Sequence, residues 1–421
     1  MKKLLQIQPV DPIITRDGRP FGETPGAVAH SMDELSPSVL AGTIRTLLGK
    51  LLSDSSSSHH IFRSDILSKL MKAVIRGPLY RRNEQLFYPL PKDISLYEEL
   101  GQAKASIQRP NEPTGIAAYS QGFLGTGKDG QYEEILWPVS VPDNVKSWNN
   151  SPAFISEEWM IQWLSDSLTE DDWARALGQW QASLSRDAEH LASTEEAKHF
   201  MSSFVRDIRT HVAINPDTYS SKDQALFTTE SLVIPPDVSL VAEVEYPDSD
   251  VSWPEDFSAL HTIGGKRRLA HFREIQGEGL NSCPNEVLRK LDGAAYVRMV
   301  LTTPAYFAKG WLPGWLDKEL QSTANWNNQV QLQLRWACVP RWQPVSGWSY
   351  AKKGEKAVRR MVPAGSVYFF QVKNGNPRHL AETLWLKSVS DANRRKGSFD
   401  HEDGFGLALW GVWEPEKYKS N

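Results

Sequence analysis

The amino-acid sequence predicts an α+β protein with antiparallel sheets that helices cover on one side. Strand-like and helix-like stretches are mixed in both halves of the 421-residue chain, without the regular strand–helix–strand order of a parallel sheet. Strand signals also occur as neighbouring pairs joined by turn residues, which is typical of antiparallel hairpins. Both observations favour antiparallel sheets over a doubly wound fold.

The first elements follow from local patterns. Residues 3–14 are expected to form a strand. Ser36-Pro37 has the N-cap and first-turn proline of a helix, and apolar residues at helical spacing continue to Leu51. Residues 74–90 predict two strands that are joined by a turn at Asn83-Glu84.

A helical insert and a long hairpin follow. Residues 156–204 predict helices and are rich in tryptophan. Residues 204–214 alternate between apolar and polar side chains, and residues 226–234 read as the returning strand. Residues 239–246 predict a further strand.

Two domains are expected. The first comprises residues 1–292, with an acidic helical insert at 143–204 and the hairpin at 205–235. The second comprises residues 293–421, and its strand-like stretches are 294–303, 331–338 and 365–373, followed by a helix near 377–386 and a final strand within 403–413.

The composition excludes several classes of protein. The chain is 40% hydrophobic and 23% charged, and no apolar run is long enough to span a membrane. Two cysteines without CxxC or Cys/His spacing provide neither a disulfide framework nor a zinc site, so we expect no metal and no cofactor. The opening MKKLLQIQPV is interrupted by Gln6, so we expect no export and a cytoplasmic protein.

Charge is unevenly distributed. The net charge is −4, yet residues 143–200 alone carry −7, which leaves +3 for the rest of the chain. Residues 263–273 contain four cations and no acid, and residues 341–360 contain six bases against Glu355. Such runs can follow a phosphate backbone. For any single run a solvated loop is the favoured interpretation, but several runs together make binding to a polyanion a competing one.

Three smaller patterns are compatible with RNA binding, although each taken alone is also typical of an ordinary turn or of the core. Arg16 and Arg19 flank Asp17-Gly18 in the turn-like RDGRPF, which has more charge than a turn requires. Gly404-Phe405-Gly406 lacks the third glycine and the following helix of a dinucleotide fingerprint and matches an RNA-recognition signature weakly. Trp348 is followed closely by five cations, which include Arg359 and Arg360.

No recognised catalytic motif is present. The sequence has no GxSxG, no HExxH and no paired carboxylates in a recognisable context. His211 and His271 could each serve as a general base, but a lone histidine is more often structural. We therefore assign no catalytic residue.

The motifs in their order resemble the third Cmr subunit of type III-B CRISPR effector complexes, a branch of the RAMP superfamily. The resemblance covers both ends and most of the middle of the chain. The segments that carry it are RDGRPF, PSVLAGTIR (Pro37 to Arg45), HVAINPDT through LFTTE (His211 to Glu230), IGGKRRL (Ile263 to Leu269), TPAYFAKGW (Thr303 to Trp311), SGW (Ser346 to Trp348), RRMVPAGSVYFF (Arg359 to Phe370) and the terminal GFGLALWG.

The resemblance implies two ferredoxin-like, RRM-related domains and a non-catalytic role in antiviral defence. Such a subunit holds the repeat-derived 5′ tag of the CRISPR RNA and contacts the large palm-domain subunit and the adjacent backbone RAMP subunit. Its hairpin interrupts the duplex of guide and target RNA beside the tag. The RNA-binding residues that we carry over or infer are Arg16, Arg19, Arg45, His211, Gly264, Gly265, Lys266, Arg267, Arg268, Trp348, Arg359, Arg360, Gly404, Phe405 and Gly406.

Two alternatives remain open at this level. The chain could be a metal-independent RAMP ribonuclease that processes CRISPR RNA with His211 or His271 as base. It could also be a sugar-binding protein that uses its sixteen tryptophans. Steep weakening of binding by salt would distinguish RNA from sugar, because phosphate contacts release counterions.

Overall fold

The fold is mixed α+β, and most of its paired strands are antiparallel. A computed structural model describes residues 2–17, 26–52, 70–112, 136–139, 142, 145–184, 197–246, 257–277, 279–280, 282–349, 354–391 and 403–415. Within these ranges the helices are α1 (Pro37–Leu52), α2 (Glu157–Leu164), α3 (Glu170–Ser183), α4 (Asn285–Leu291) and α5 (Arg378–Leu384).

The strands are short and numerous. Those before residue 280 are β1 (Lys2–Pro9), β2 (Ala27–Ala29), β3 (Val74–Arg82), β4 (Gln85–Pro89), β5 (Ile94–Glu99), β6 (Gln102–Ile107), β7 (Lys146–Ser147), β8 (Phe154–Ser156), β9 (Phe200–Met201), β10 (Val205–Ile214), β11 (Ser221–Val233), β12 (Val238–Glu245), β13 (Ser258–Ile263) and β14 (Arg268–Ile275). The later strands are β15 (Tyr296–Leu301), β16 (Gln331–Cys338), β17 (Gln343–Val345), β18 (Trp348–Ser349), β19 (Gly354–Glu355), β20 (Arg359–Met361), β21 (Val367–Asn374), β22 (Lys387–Ser388) and β23 (Leu407–Val412).

The largest sheet belongs to the first half of the chain. In the described residues its order is β13-β14-β1-β12-β3-β4-β8-β9, and each neighbouring pair is antiparallel. Helix α1 packs on it because Leu40 and Ile44 form one apolar face that is fully buried with Leu5 and Leu240. The turn predicted at Asn83-Glu84 is confirmed, and both residues have positive φ, as a two-residue hairpin turn requires.

The long antiparallel pair β10–β11 lies beside this sheet. Its register places His211 opposite Phe227 and Ile208 opposite Glu230, with an irregularity between Val212 and Ile214. Strand β2 runs parallel to β11, so the short segment before α1 joins the same small sheet.

The second half is built on the sheet β16-β21-β15-β23-β22. The tryptophans of α2 and α3 do not form a separate core. Trp163 and Trp173 are fully buried in the same apolar cluster as Phe370 and Trp410 of the second-half strands. The helical insert is therefore packed against the second half of the chain.

A buried ion-pair network fastens that contact. Arg298 on β15 is 1% exposed, and its guanidinium donates to Asp93 at 3.1 Å, to Asp166 at 3.2 Å and to the carbonyl of Trp163. It also lies 4.2 Å from the centroid of a Trp163 ring. Arg109 donates to the same oxygen of Asp166 at 2.8 Å. Burial raises the pKa of Asp93 to about 6, against the opposing effect of Arg298.

We predict that Arg298→Met lowers the free energy of unfolding by about 3–5 kcal/mol, because it leaves the Asp93 carboxylate buried without its cation, whereas Asp166 keeps Arg109. Urea and thermal unfolding would measure the loss. The control is Arg289→Met, at an exposed arginine of α4, which should change stability by less than about 0.5 kcal/mol. Adding Asp93→Asn to Arg298→Met should restore part of the loss. A stability equal to the wild type in Arg298→Met would contradict the role of this network.

Candidate nucleic-acid interface

The turn between β13 and β14 presents three cations on a constrained backbone. Gly264 has φ of +67°, and Lys266 and Arg267 have φ of 55° and 53°. Non-glycine residues adopt this region at a cost of roughly 1–2 kcal/mol each, so the surrounding contacts must impose it. Lys266 and Arg267 are exposed, and Arg268 is half-buried. Among the described residues, no acidic side chain forms an ion pair with any of these three.

The two glycines of this turn contact the chain itself. Gly265 N–H donates to the carbonyl of Ile14 at 2.7 Å, and a Cβ added at Gly264 would lie 2.5 Å from that oxygen. Gly264 and Gly265, which the sequence analysis included among the RNA-binding residues, thus have a structural use. Their missing side chains allow the turn to approach Ile14, and this approach orients the cations.

An aromatic pair from the hairpin completes the cluster. The rings of His211 and Phe227 are stacked, with centroids 5.1 Å apart and planes at 22°. Lys266 Nζ lies 5.3 Å from the centroid of Phe227. His211 Nε2 and Thr229 Oγ1 are hydrogen-bonded at 2.9 Å. We call His211, Phe227, Lys266, Arg267 and Arg268 the basic cluster.

The surroundings of His211 disfavour the charged form of its ring. Desolvation and the charges of Lys266, Arg209 and Arg268 hold the pKa of His211 below its ordinary value. Desolvation and the charge of Arg268 likewise lower the pKa of Lys266. Cationic neighbours contribute to both shifts after desolvation, and a bound anion would offset that contribution.

The N-terminal segment with Arg16 lies against this cluster. Ile14, which accepts the bond from Gly265, precedes Arg16 by two residues, and Arg16 forms an isolated bridge with Ser31. Met32 N–H donates to the Thr15 carbonyl at 2.7 Å. The structure thus brings the segment that carries Arg16 and the cationic turn together, whereas Arg19 lies outside the described residues.

A buried carboxylate fixes the base of the hairpin. Glu230 on β11 accepts hydrogen bonds from the Ser31 amide at 3.2 Å and Arg206 Nη1 at 2.6 Å, and it contacts His30 Nδ1 at 2.9 Å. Burial alone would raise its pKa, but these three partners lower the pKa of Glu230 overall. The network ties β10 and β11 to the segment that follows β2, so the hairpin has a defined direction.

Arg45 is placed differently from its predicted role. It is buried on α1, where its guanidinium pairs with Asp403 and donates to the Ala73 carbonyl at 2.8 Å. The expectation that Arg45 faces RNA is corrected, because these bonds direct its charge into the protein. Arg45 instead joins α1 to the residue before the glycine-rich loop.

The loop Gly404-Phe405-Gly406 is also part of the core. Gly404 packs against the backbone of Ile75 and Gly77, which leaves no room for a side chain. Phe405 is 1% exposed and packs with Met32 and Met361. The prediction that these residues contact RNA is therefore corrected, since the ring of Phe405 has no free face for a base.

The remaining candidates lie on strands of the second half. The guanidinium of Arg359 lies 5.9 Å from the Tyr306 ring centroid, and that of Arg360 lies 4.8 Å from the Trp342 ring centroid. Tyr306 packs on the cluster of Met32 and Phe405, so Arg359 adjoins the segment that carries Arg16. Trp348 belongs to β18, and its side chain is outside the described part of the structure.

Sequence reasoning missed Phe227. The signal that could have found it is the hairpin: once β10 and β11 are paired, Phe227 lies opposite His211.

The other candidate base, His271 on β14, has its Nε2 hydrogen-bonded with Ser258 Oγ at 2.8 Å. The described ranges contain no group of three His, Cys, Asp or Glu side chains suited to a metal ion. Nor do they include a helix with the length and apolar character needed to cross a membrane.

Comparison with known proteins finds a matching family model and similar solved structures. A family model described as CRISPR-associated protein (Cas_Cmr3) matches residues 5–413. No curated protein sequence matches the chain. The chain is similar to a subunit in a cryo-EM structure of the type III-B Cmr-β complex bound to cognate target RNA, with 14% identity, coverage of 87% of this chain and 86% of that chain, and a TM-score of 0.45. It is also similar to a chain of the type III-A Csm3–Csm4 subcomplex, with 11% identity, coverage of 89% and 97%, and a TM-score of 0.35.

We predict that Gly264→Ala destabilises the protein by about 2–4 kcal/mol, because a Cβ there meets the Ile14 carbonyl in addition to the strained φ. The matched control is Gly293→Ala, where φ is +70° and the space is open, so that only about 1 kcal/mol is lost. Urea unfolding of both variants measures the difference. Equal losses would show that the approach of the turn to Ile14 is unimportant.

Proposed function

Because the chain belongs to the Cas_Cmr3 family of CRISPR-associated proteins, we propose that it is a non-catalytic RNA-binding subunit of a type III-B effector complex. In this role it is the third Cmr subunit, with two ferredoxin-like RAMP domains. It holds the 5′ repeat-derived tag of the CRISPR RNA and joins the large palm-domain subunit to the adjacent backbone subunit.

The basic cluster is the observation that carries the proposal. Single-stranded RNA is held by cations that follow its phosphates and by rings on which its bases stack. Lys266, Arg267 and Arg268 supply the cations, and the stacked pair of His211 and Phe227 supplies the rings. These contacts read little base identity, which suits a subunit that grips a constant tag by its shape and charge.

The other face of the hairpin supports contact with the end of an RNA duplex. Ile208 on β10 is 63% exposed, and Val212 and Leu226 on the same face are also exposed. Apolar side chains that stand in solvent on a strand pair can cover the last base pair of a stack. We therefore assign this face to the junction of the tag with the guide–target duplex.

We include the absence of catalysis in the proposal. His211 is bonded to Thr229 and surrounded by cations, and His271 is bonded to Ser258 on the neighbouring strand. An RNA-cleaving base needs a positioned partner for the leaving group as well. The direct test is incubation of the purified protein with repeat RNA in EDTA. Intact RNA would support the proposal. Cleavage that is lost in His211→Ala would contradict it and favour the ribonuclease alternative.

The test of function is the RNA that accompanies the protein. We expect the protein isolated with its natural partners to carry RNA that begins with a constant repeat-derived tag. The triple variant Lys266→Gln, Arg267→Gln, Arg268→Gln should lower affinity for single-stranded tag RNA at least about tenfold and reduce the slope of log affinity against log salt by about 2.

The control triple variant is Arg289→Gln, Lys290→Gln, Lys318→Gln, which changes three exposed cations outside the cluster. It should leave both affinity and salt slope unchanged. Urea unfolding confirms that both triple variants are folded. Isolation without RNA, or equal losses in the two triple variants, would contradict the proposal.

We also predict a pH dependence of RNA binding. The pKa of His211 is depressed in the free protein, and a nearby phosphate favours the charged ring, so the pKa rises on binding. RNA binding then takes up a proton, and affinity increases as the pH falls through the pKa of the complex. His211→Gln keeps a hydrogen-bonding group for Thr229 and should remove this increase. Filter binding at pH 8 and at pH 5.5 would measure it, and an identical pH profile in the variant would contradict it.

A further inference from the structure

A groove on the second half of the chain is separate in its residues from the basic cluster. Its volume is about 630 Å³, which is the size of pockets that hold small organic ligands. It lies between the end of β16, the loop that leads to β17, the strand β20 and the turn at Gly310. The side chains that define it are Trp311, Trp336, Trp342, Arg341, Arg360 and Met361.

Two tryptophans of the groove are unusually exposed. Trp342 is 43% exposed and Trp311 is 38% exposed, whereas Trp163 and Trp410 are fully buried in the core. The exposed pair is held in place by the fold. Tyr368 Oη donates to the Trp311 carbonyl at 2.5 Å, and Trp342 directly precedes the short strand β17 that pairs with β20. The groove therefore presents two indole surfaces to solvent on a backbone that the fold holds in place.

The charged side chains that line the groove are both positive. Arg341 and Arg360 are both exposed, and the Arg360 guanidinium lies 4.8 Å from the Trp342 ring centroid. In the described part of the chain, neither arginine has an acidic partner within ion-pair distance. A ligand that complements this groove combines a flat aromatic body with negative charge.

The lining also discriminates between ligand classes. Tryptophan can stack on sugars as well as on bases, but sugar sites need acceptors for hydroxyl groups. None of the described residues that line the groove is Asp, Glu, Asn or Gln. A purely apolar peptide would leave the two arginines without a counter-charge. A nucleotide satisfies both requirements, because its base stacks and its phosphate meets the guanidinium groups.

We propose that this groove binds one ribonucleotide, with the base against the indoles of Trp311 and Trp342 and the phosphate at Arg341 and Arg360. The nucleotide is either a free mononucleotide or one residue of an RNA strand, and the chemistry is the same. The inference extends the proposed RNA-binding function, but it depends on different residues, so each can fail without the other.

The free-nucleotide arm uses AMP in equilibrium dialysis with the full chain. Saturable binding is expected, and Trp342→Ala should weaken it about tenfold and Arg360→Gln several-fold. The matched controls are Leu184→Ala, at an apolar residue with the same 43% exposure, and Arg289→Gln, at another exposed arginine. Both controls should bind AMP like the wild type, and thermal unfolding checks that all four variants are folded.

The strand arm uses single-stranded RNA with photoreactive 4-thiouridine. Cross-links to Trp311 or Trp342, lost in Arg360→Gln, would identify a residue of an RNA strand as the occupant even where AMP does not bind. Saturable AMP binding without such cross-links would identify a free nucleotide. The proposal is overturned if neither probe engages the groove, or if the variants release a protein partner while nucleotide binding is unchanged.

Discussion

The buried guanidinium of Arg298 is the interaction on which the arrangement of the two halves depends. It stands on the central strand β15 and holds the end of α2 through the Trp163 carbonyl and two carboxylates. Gly411 pairs with Arg298 on the neighbouring strand, and its missing side chain lets Leu164 approach the sheet. A buried ion pair stabilises the fold only when the interactions between its partners outweigh the cost of removing the charges from water. The helical insert, the first half and the second-half sheet therefore share one fixed geometry.

Close packing of one backbone segment against another also explains the glycines at Gly264 and Gly404. Gly264 lets the cationic turn meet Ile14, and Gly404 lets the C-terminal loop meet β3. A glycine that makes room for a ligand and one that makes room for another backbone share the same positive φ and the same residue type. Sequence alone could not separate these two uses, and for this reason Gly404 was assigned to RNA when it belongs to the core.

The sequence did predict the α+β class, the helix at Pro37–Leu52 and the hairpin turn at Asn83-Glu84, because local periodicity and turn chemistry determine them. It also located the cations of the basic cluster. Phe227 could not be found, since its importance depends on a strand register that contains an irregularity. Arg45 was misassigned because its partner Asp403 is 358 residues away in sequence, and tertiary contacts of that kind leave no local pattern.

Segregation of charge allows a chain with a net charge of −4 to present a surface suited to a polyanion. Acidic residues cluster at the start of α3, where Glu170, Asp171 and Asp172 favour the positive end of the helix, and Asp172 closes a capping box with Thr169. Their effect on distant groups is screened over roughly 8–10 Å at physiological salt. The basic cluster responds to its immediate neighbours: Lys266, Arg209 and Arg268 all act on His211 and, after desolvation, help to lower its pKa. Local charge, rather than the sign of the whole protein, decides what this surface attracts.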